Sequence, residues 1–182
     1  YENNGETNPS WTVAVIATSA NGPMSVFAAD MDNDGDMDIL SASEQDDAIA
    51  WYENDGAANP SWTAADIATS ADWAVSVFAA DMDNDGDMDV LSASVNDDAI
   101  AWYENDGAAD PSWTAVDIVS KDDPSAHGPR SVFAADMDND GDMDILSAWW
   151  ASNTIHWYEN SSSDDTAPPT ISSVSLDDDN TR

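Results

Sequence analysis

Aspartate recurs at every second position in three short stretches of this chain. In the first, Asp30, Asp32, Asp34, Asp36 and Asp38 flank Gly35. The pattern returns at Asp81, Asp83, Asp85, Asp87 and Asp89 around Gly86, and at Asp136, Asp138, Asp140, Asp142 and Asp144 around Gly141. Carboxylates at positions 1, 3 and 5 of such a stretch converge on one point only if the backbone curls tightly, and the glycine at position 6 permits that curl. Position 7 offers its backbone carbonyl, so Asp36, Asp87 and Asp142 enter through the main chain. Position 9, held by Asp38, Asp89 or Asp144, closes the loop. A donor set of oxygens alone, rich in carboxylates, selects a hard cation, and a flexible multidentate loop favours calcium over magnesium. Three Ca2+ sites are therefore expected. A bare acidic turn would have to hold four carboxylates together against their own repulsion. An EF-hand would close with Glu at position 12 between two helices. Here position 12 is Ser41, Ser92 or Ser147, and the flanks read as strands.

The elements that hold these loops are themselves repeated. SVFAADMDNDGDMD occurs at 25–38, 76–89 and 131–144; PSWT at 9–12, 60–63 and 111–114; WYEN at 51–54, 102–105 and 157–160. Internal repetition of this length marks a repeat architecture. The chain divides into 1–7 (the end of a preceding repeat), repeats at 8–54, 55–105 and 106–160, a polar linker at 161–170, and the start of a further strand or domain at 171–182. Each repeat predicts four short strands, in the second at Trp62–Ala68, 76–80, Asp89–Ser94 and 99–104. These segments are rich in β-branched and aromatic residues and bounded by turn formers. Nothing sustains a helical period. The fold class expected is all-β: three four-stranded propeller-type blades with calcium-binding hairpin loops, forming an incomplete propeller or open stack. Three blades are too few for a ring, so the end blades expose apolar faces that further blades or copies of the chain would cover.

Composition narrows the partners. Lys and Arg total 3 against 38 Asp and Glu, a net charge of −35. Nucleic acid is excluded, because phosphate binding needs a basic surface. No apolar run is long enough for a spanning helix, so membrane insertion is not expected. The absence of cysteine removes thiol and zinc-thiolate chemistry. Such acidity often signals disorder, but 42% hydrophobic residues and nine Trp supply ample core. Weak calcium sites would stay nearly empty at cytosolic calcium, which points to a secreted or cell-surface location.

The stretch SVFAADMDNDGDMDIL and the closing AWYEN resemble the FG-GAP/VCBS-type repeats of integrin α-subunit propellers and of many secreted bacterial proteins. Phe27-Ala28-Ala29 stands where the letters that name the family would be. The resemblance implies a four-stranded blade with calcium in a hairpin loop, often seven blades to a closed ring.

Six Trp belong to the repeat and read as packing residues. Trp73, Trp149 and Trp150 break it; the last two stand at a hairpin end with nothing in the sequence to bury them, and with His127 and Arg130 nearby they are the candidates for a ligand or an interface. Lys121 and Arg130 bracket a four-residue insertion. His127 and His156 stand alone, without a nucleophile or metal partner at recognisable spacing. Residues 160–162 match a glycosylation acceptor at Asn160. No unique carboxylate pair remains for catalysis. The sequence thus leads to a non-catalytic, extracellular calcium-binding module with a structural or adhesive role, assembling with further blades or copies of itself into a ring or filament. A lectin-like module that binds glycans, and an accessory domain of a secreted polysaccharide-degrading enzyme, are the alternatives.

Overall fold

The computed structural model describes residues 2–3, 10–120 and 127–161. Lys121, Arg182 and the segment 171–182 lie outside the described residues, as does the 161–170 linker beyond Ser161. Every regular element among the described residues is a strand: β1 (Glu2–Asn3), β2 (Trp11–Thr12), β3 (Pro23–Ala29), β4 (Asp38–Ser43), β5 (Ala48–Asn54), β6 (Trp62–Ala68), β7 (Ala74–Ala80), β8 (Asp89–Ser94), β9 (Ala99–Asn105), β10 (Trp113–Val119), β11 (Pro129–Ala135), β12 (Asp144–Trp149) and β13 (Thr154–Tyr158). They form antiparallel meanders: β3-β4-β5-β6, β7-β8-β9-β10, the three-stranded β11-β12-β13, and a two-stranded ribbon of β1 and β2. The fold is all-β and made of open, propeller-like blades; none of the sheets closes into a barrel.

The strand predicted at 76–80 begins two residues earlier, at Ala74, because a bulge between Ala74 and Ser76 lets Ala74 still pair with Ser94. The same bulge falls between Pro23 and Ser25, and between Pro129 and Ser131. A larger difference concerns grouping. Trp62–Ala68 reads in the sequence as the first strand of the second repeat, yet it hydrogen-bonds to β5, with Trp62 opposite Asn54, and is the outer strand of the preceding sheet. β10 completes the second sheet in the same way, with Trp113 opposite Asn105. Sequence repeat and sheet are therefore out of phase by one strand.

The core lies between sheets rather than within any one. Met31, Leu40, Ile49 and Trp51 of the first sheet pack against Val77, Val90 and Tyr103 of the second. The second sheet turns its other face, with Met82, Leu91 and Ile100, to Val132, Ile145 and Trp149 of the third. Sandwiched on both sides, β8 is buried at all six positions, and so reads as a continuous run of Val, Leu, Ser and Ala rather than an alternation. The innermost strands meet: Phe27, Phe78 and Phe133 stack in a column with centroids 4.5 Å apart and planes tilted by 51° at each step. Polar ties repeat with the same step. Val77 N donates to Ser25 Oγ and Val132 N to Ser76 Oγ, at 3.3 and 3.2 Å.

Candidate metal centres

Each Asp stretch connects the two innermost strands of its sheet and begins where the first of them ends. Two left-handed residues make the curl: Asn33, Asn84 and Asn139 at position 4, with φ of 59–66°, and Gly35, Gly86 and Gly141 at position 6, with φ of 96–102°. At φ near 100° a side chain is strained whatever the space around it, so glycine is required there by conformation alone. The loop then wraps its backbone N–H groups round its own carboxylates. In the first loop Asp34 N and Gly35 N donate to the two oxygens of Asp30 at 3.1 and 3.0 Å, and Asp36 N to Asp34 Oδ1 at 2.8 Å. The second loop repeats these bonds, and the third keeps those from Gly141 N and Asp142 N.

Carboxylate oxygens consequently converge. Asp30, Asp32 and Asp38 bring one oxygen each within 4.8 Å of one another; Asp81, Asp83 and Asp85 do so in the second loop, and Asp136, Asp138 and Asp140 in the third. These clusters could hold a metal, and the donor set, oxygen only and anionic, fits a hard cation. Asp36, Asp87 and Asp142, assigned to the main chain, direct their side chains elsewhere. Asp36 lies against Gly56 and Asp87 against Gly107, where a Cβ would collide with the carboxylate. Asp87 Oδ1 also accepts from Asn33 Nδ2 at 2.5 Å, and Asp142 Oδ1 from Asn84 Nδ2 at 2.7 Å, so each loop is tied to its neighbour.

Position 9 has a second task that spacing did not reveal. Asp38, Asp89 and Asp144 are each only 1% exposed. One oxygen of Asp89 accepts from Met82 N at 3.0 Å and the other from Asn105 N at 2.8 Å, stapling the loop to β9. Asp38 and Asp144 do the same with Met31 and Asn54, and with Met137 and Asn160. The buried indole N–H of Trp102 faces the Asp89 carboxylate without completing a hydrogen bond. Despite these donors, burial pushes the Asp89 carboxyl up to about 6. Desolvation, with the neighbouring carboxylates adding to it, also raises Asp32, Asp83 and Asp138. The next residue of interest was equally hidden in the sequence: Asn105 Nδ2 donates to Met31 O of the preceding sheet at 2.9 Å, and Asn160 Nδ2 to Met82 O at 2.8 Å. At Asn105 and Asn160 the Asn of WYEN is thus an inter-sheet clamp, whereas Asn54 Nδ2 donates to Met37 O of its own loop. Its constant place after Trp-Tyr-Glu was the only available signal.

The remaining candidates separate. Trp149 is 2% exposed, with its ring 5.6 Å from His156 and its indole N–H donated to Ser147 Oγ. The expectation that nothing buries it is corrected: it occupies the apolar layer between the second and third sheets. Trp150 is 69% exposed, and Arg130 lies over its ring at 5.5 Å. His127 Nδ1 is 3.3 Å from Asp98 Oδ2 in the preceding sheet's hairpin, a contact between blades rather than a member of the Trp150 pair. His156 Nδ1 lies 2.8 Å from Tyr158 Oη.

No helix among the described residues is long and apolar enough to cross a membrane. None of the curated proteins compared with the chain matches it. A family model described as an FG-GAP-like repeat matches residues 1–41, 30–92 and 91–147. Three successive matches over most of the sequence, on sheets that each carry the same acidic loop, place this chain in the FG-GAP-like repeat family.

Proposed function

We propose that the chain is an extracellular, calcium-stapled repeat module whose role is structural or adhesive, without catalysis of its own, and that it serves as a building block of a larger assembly. One observation carries the reading: the carboxylate cluster recurs in all three sheets with its position-9 Asp buried. Asp30, Asp32, Asp34 and Asp38, with the carbonyl of Asp36, would hold the first ion; Asp81, Asp83, Asp85, Asp89 and the carbonyl of Asp87 the second; Asp136, Asp138, Asp140, Asp144 and the carbonyl of Asp142 the third. A bound dication supplies charge neutralisation and cross-links the loop. The chain's own N–H groups, curl and staple preorganise the oxygens. With Kd near ~10⁻⁴ M, as in extracellular modules, ~10 mM calcium adds about 2.7 kcal/mol per site. Such sites suit calcium-rich surroundings outside the cell, where salt also screens the net charge of −35.

Calorimetric titration of chelated protein tests this directly. Three equivalents of calcium binding, with a higher melting midpoint and much weaker competition from magnesium, support the reading; no heat and no thermal shift remove it. The lectin alternative keeps one specific support, the exposed Trp150 ring beside Arg130. Glycan-array binding abolished by Trp150→Ala would favour it.

A further inference from the structure

Seven described residues other than glycine have a left-handed backbone. Six are Asn or Asp, whose short polar side chains tolerate it; the seventh is Trp73, at φ 59°. The same turn in the other two repeats uses Gly22 and Gly128, at φ of 67° and 65°. All three residues make the same bond, the carbonyls of Gly22, Trp73 and Gly128 accepting from Glu44 N, Val95 N and Trp150 N at 2.9, 3.1 and 3.1 Å. The turn therefore asks for glycine, and the second repeat holds the bulkiest side chain there against a conformational penalty. Core packing does not account for it, because Trp73 stays 40% exposed. Instead the side chain reaches from the second sheet to the β4–β5 hairpin of the first. There its indole N–H donates to Glu44 Oε2 at 2.5 Å, while its backbone N–H donates to Asp47 Oδ1 at 3.0 Å. The ring is thus fixed as one wall of an open cleft of about 250 Å³, whose other walls are Glu44, Gln45 and Asn96. The cleft lies between two complete four-stranded sheets, at the end of β4 remote from the metal loop.

We infer that this cleft binds the guanidinium of an arginine side chain presented by a second polypeptide. The chemistry of the walls is one-sided. Asn96 Nδ2 donates to Asp72 Oδ1 at 2.9 Å, which leaves the amide oxygen of Asn96 as an acceptor. A π face, a carboxylate and amide oxygens together suit a flat cation that stacks on the ring and carries several N–H groups. The guanidinium lies on the exposed indole face, and its fork donates to Glu44 and to the amide oxygens of Gln45 and Asn96. Because a carboxylate accepts the indole N–H, the ring is polarised and its face made more negative. The chain makes the same kind of pair for itself one sheet further on. Arg130, the only Lys or Arg among the described residues, lies over Trp150 at 5.5 Å, beside the β12–β13 hairpin. The net charge of −35 draws a basic partner towards the surface, and the cleft selects where its arginine docks. A neutral sugar would use the ring and the amides but gain nothing from the charge of Glu44. The inference goes beyond the structural role and does not depend on bound calcium.

The probe is N-acetyl-arginine methylamide, titrated into the whole chain in calcium at constant ionic strength. Binding is followed by calorimetry and by the indole N–H resonance of Trp73, which the spectrum of Trp73→Gly identifies by its loss. A saturable shift of that resonance is expected. N-acetyl-citrulline methylamide, the same shape without the charge, should bind at least about tenfold more weakly. The lysine counterpart should also bind more weakly, since a round ammonium cannot stack and fork at once. Glu44→Gln keeps an acceptor for the indole and removes the charge, so it should weaken the arginine probe by about tenfold and leave the citrulline probe unchanged. Trp73→Gly installs the residue that the sister turns use, so it folds, as circular dichroism checks, and should lose the arginine probe altogether. No saturable shift in wild type, as expected of a Trp73 that is merely a strut between sheets, overturns the inference. So does citrulline or lysine probe binding as tight as arginine, methyl glucoside binding in preference to it, or an arginine affinity unchanged in Trp73→Gly. Calcium binding is measured on the same samples: metal bound without the probe removes only the cleft, and probe bound without metal removes only the calcium reading.

Discussion

Acidifying the metal-free protein should stabilise it. Asp89 is buried, and desolvation raises its carboxyl from 3.8 to about 6 in the folded chain. A raised carboxyl holds its proton more tightly when folded than when unfolded. The stability tied to it is complete below the unfolded value and lost as pH climbs through the folded one. A gap of about two units corresponds to roughly 3 kcal/mol. Going from pH 7 to pH 5 recovers about half of that, some 1.4 kcal/mol, or about 3–6 °C in melting midpoint for a chain of this size. Asp32, Asp83 and Asp138 are raised too and act in the same direction. Asp55 and Asp106 act oppositely: hydrogen bonds from the backbone N–H groups of Ser61 and Ala57, and of Ser112 and Ala108, lower them, so their contribution is lost only below about pH 4. With calcium present the trend should reverse, because protons compete with the ion for the same oxygens. Thermal melts in chelator and in calcium, at fixed ionic strength, measure both slopes. Asp89→Asn separates this group from the general relief of charge repulsion and should flatten the chelator slope. A chelated midpoint that falls on acidification, or rises as steeply in Asp89→Asn, refutes the reasoning.

Truncating Ile100, which is fully buried between sheets, to Ala should cost about 2–5 kcal/mol in urea denaturation, while Ile155→Ala at the same repeat position should change stability by less than about 0.5 kcal/mol at low protein concentration. Gly107→Ala forces a Cβ into the Asp87 carboxylate at a φ of +68°, and should lower stability by more than about 1 kcal/mol on the same measurement. Asn105→Ala removes the donors to Met31 O and Met88 O and should cost roughly 1–3 kcal/mol, with faster amide exchange where the first two sheets meet.

The local chemistry of the loop was legible because it depends on neighbours in sequence. The curl at Gly35 and the strand Asp89–Ser94 follow from turn and strand preferences alone. What stayed hidden depends on the adjacent sheet. Asp87 looked like one more acidic loop residue, but its carboxylate receives Asn33, 54 residues earlier. Trp149 looked exposed because Ser43 and Ser94 occupy its place in the other repeats; the layer that buries it is built by the second sheet. The membership of β6 was equally invisible, since a periodic sequence shows how often a unit recurs and not where one sheet stops and the next starts.

That offset has a practical reading for anyone who shortens, duplicates or shuffles these units. A cut after Asn54 or Asn105, where the written motif ends, would strip a sheet of its outermost member and bare a raw edge. The natural scissors mark is the crossing between Ala68 and Ala74, where one sheet is finished and the next has not begun.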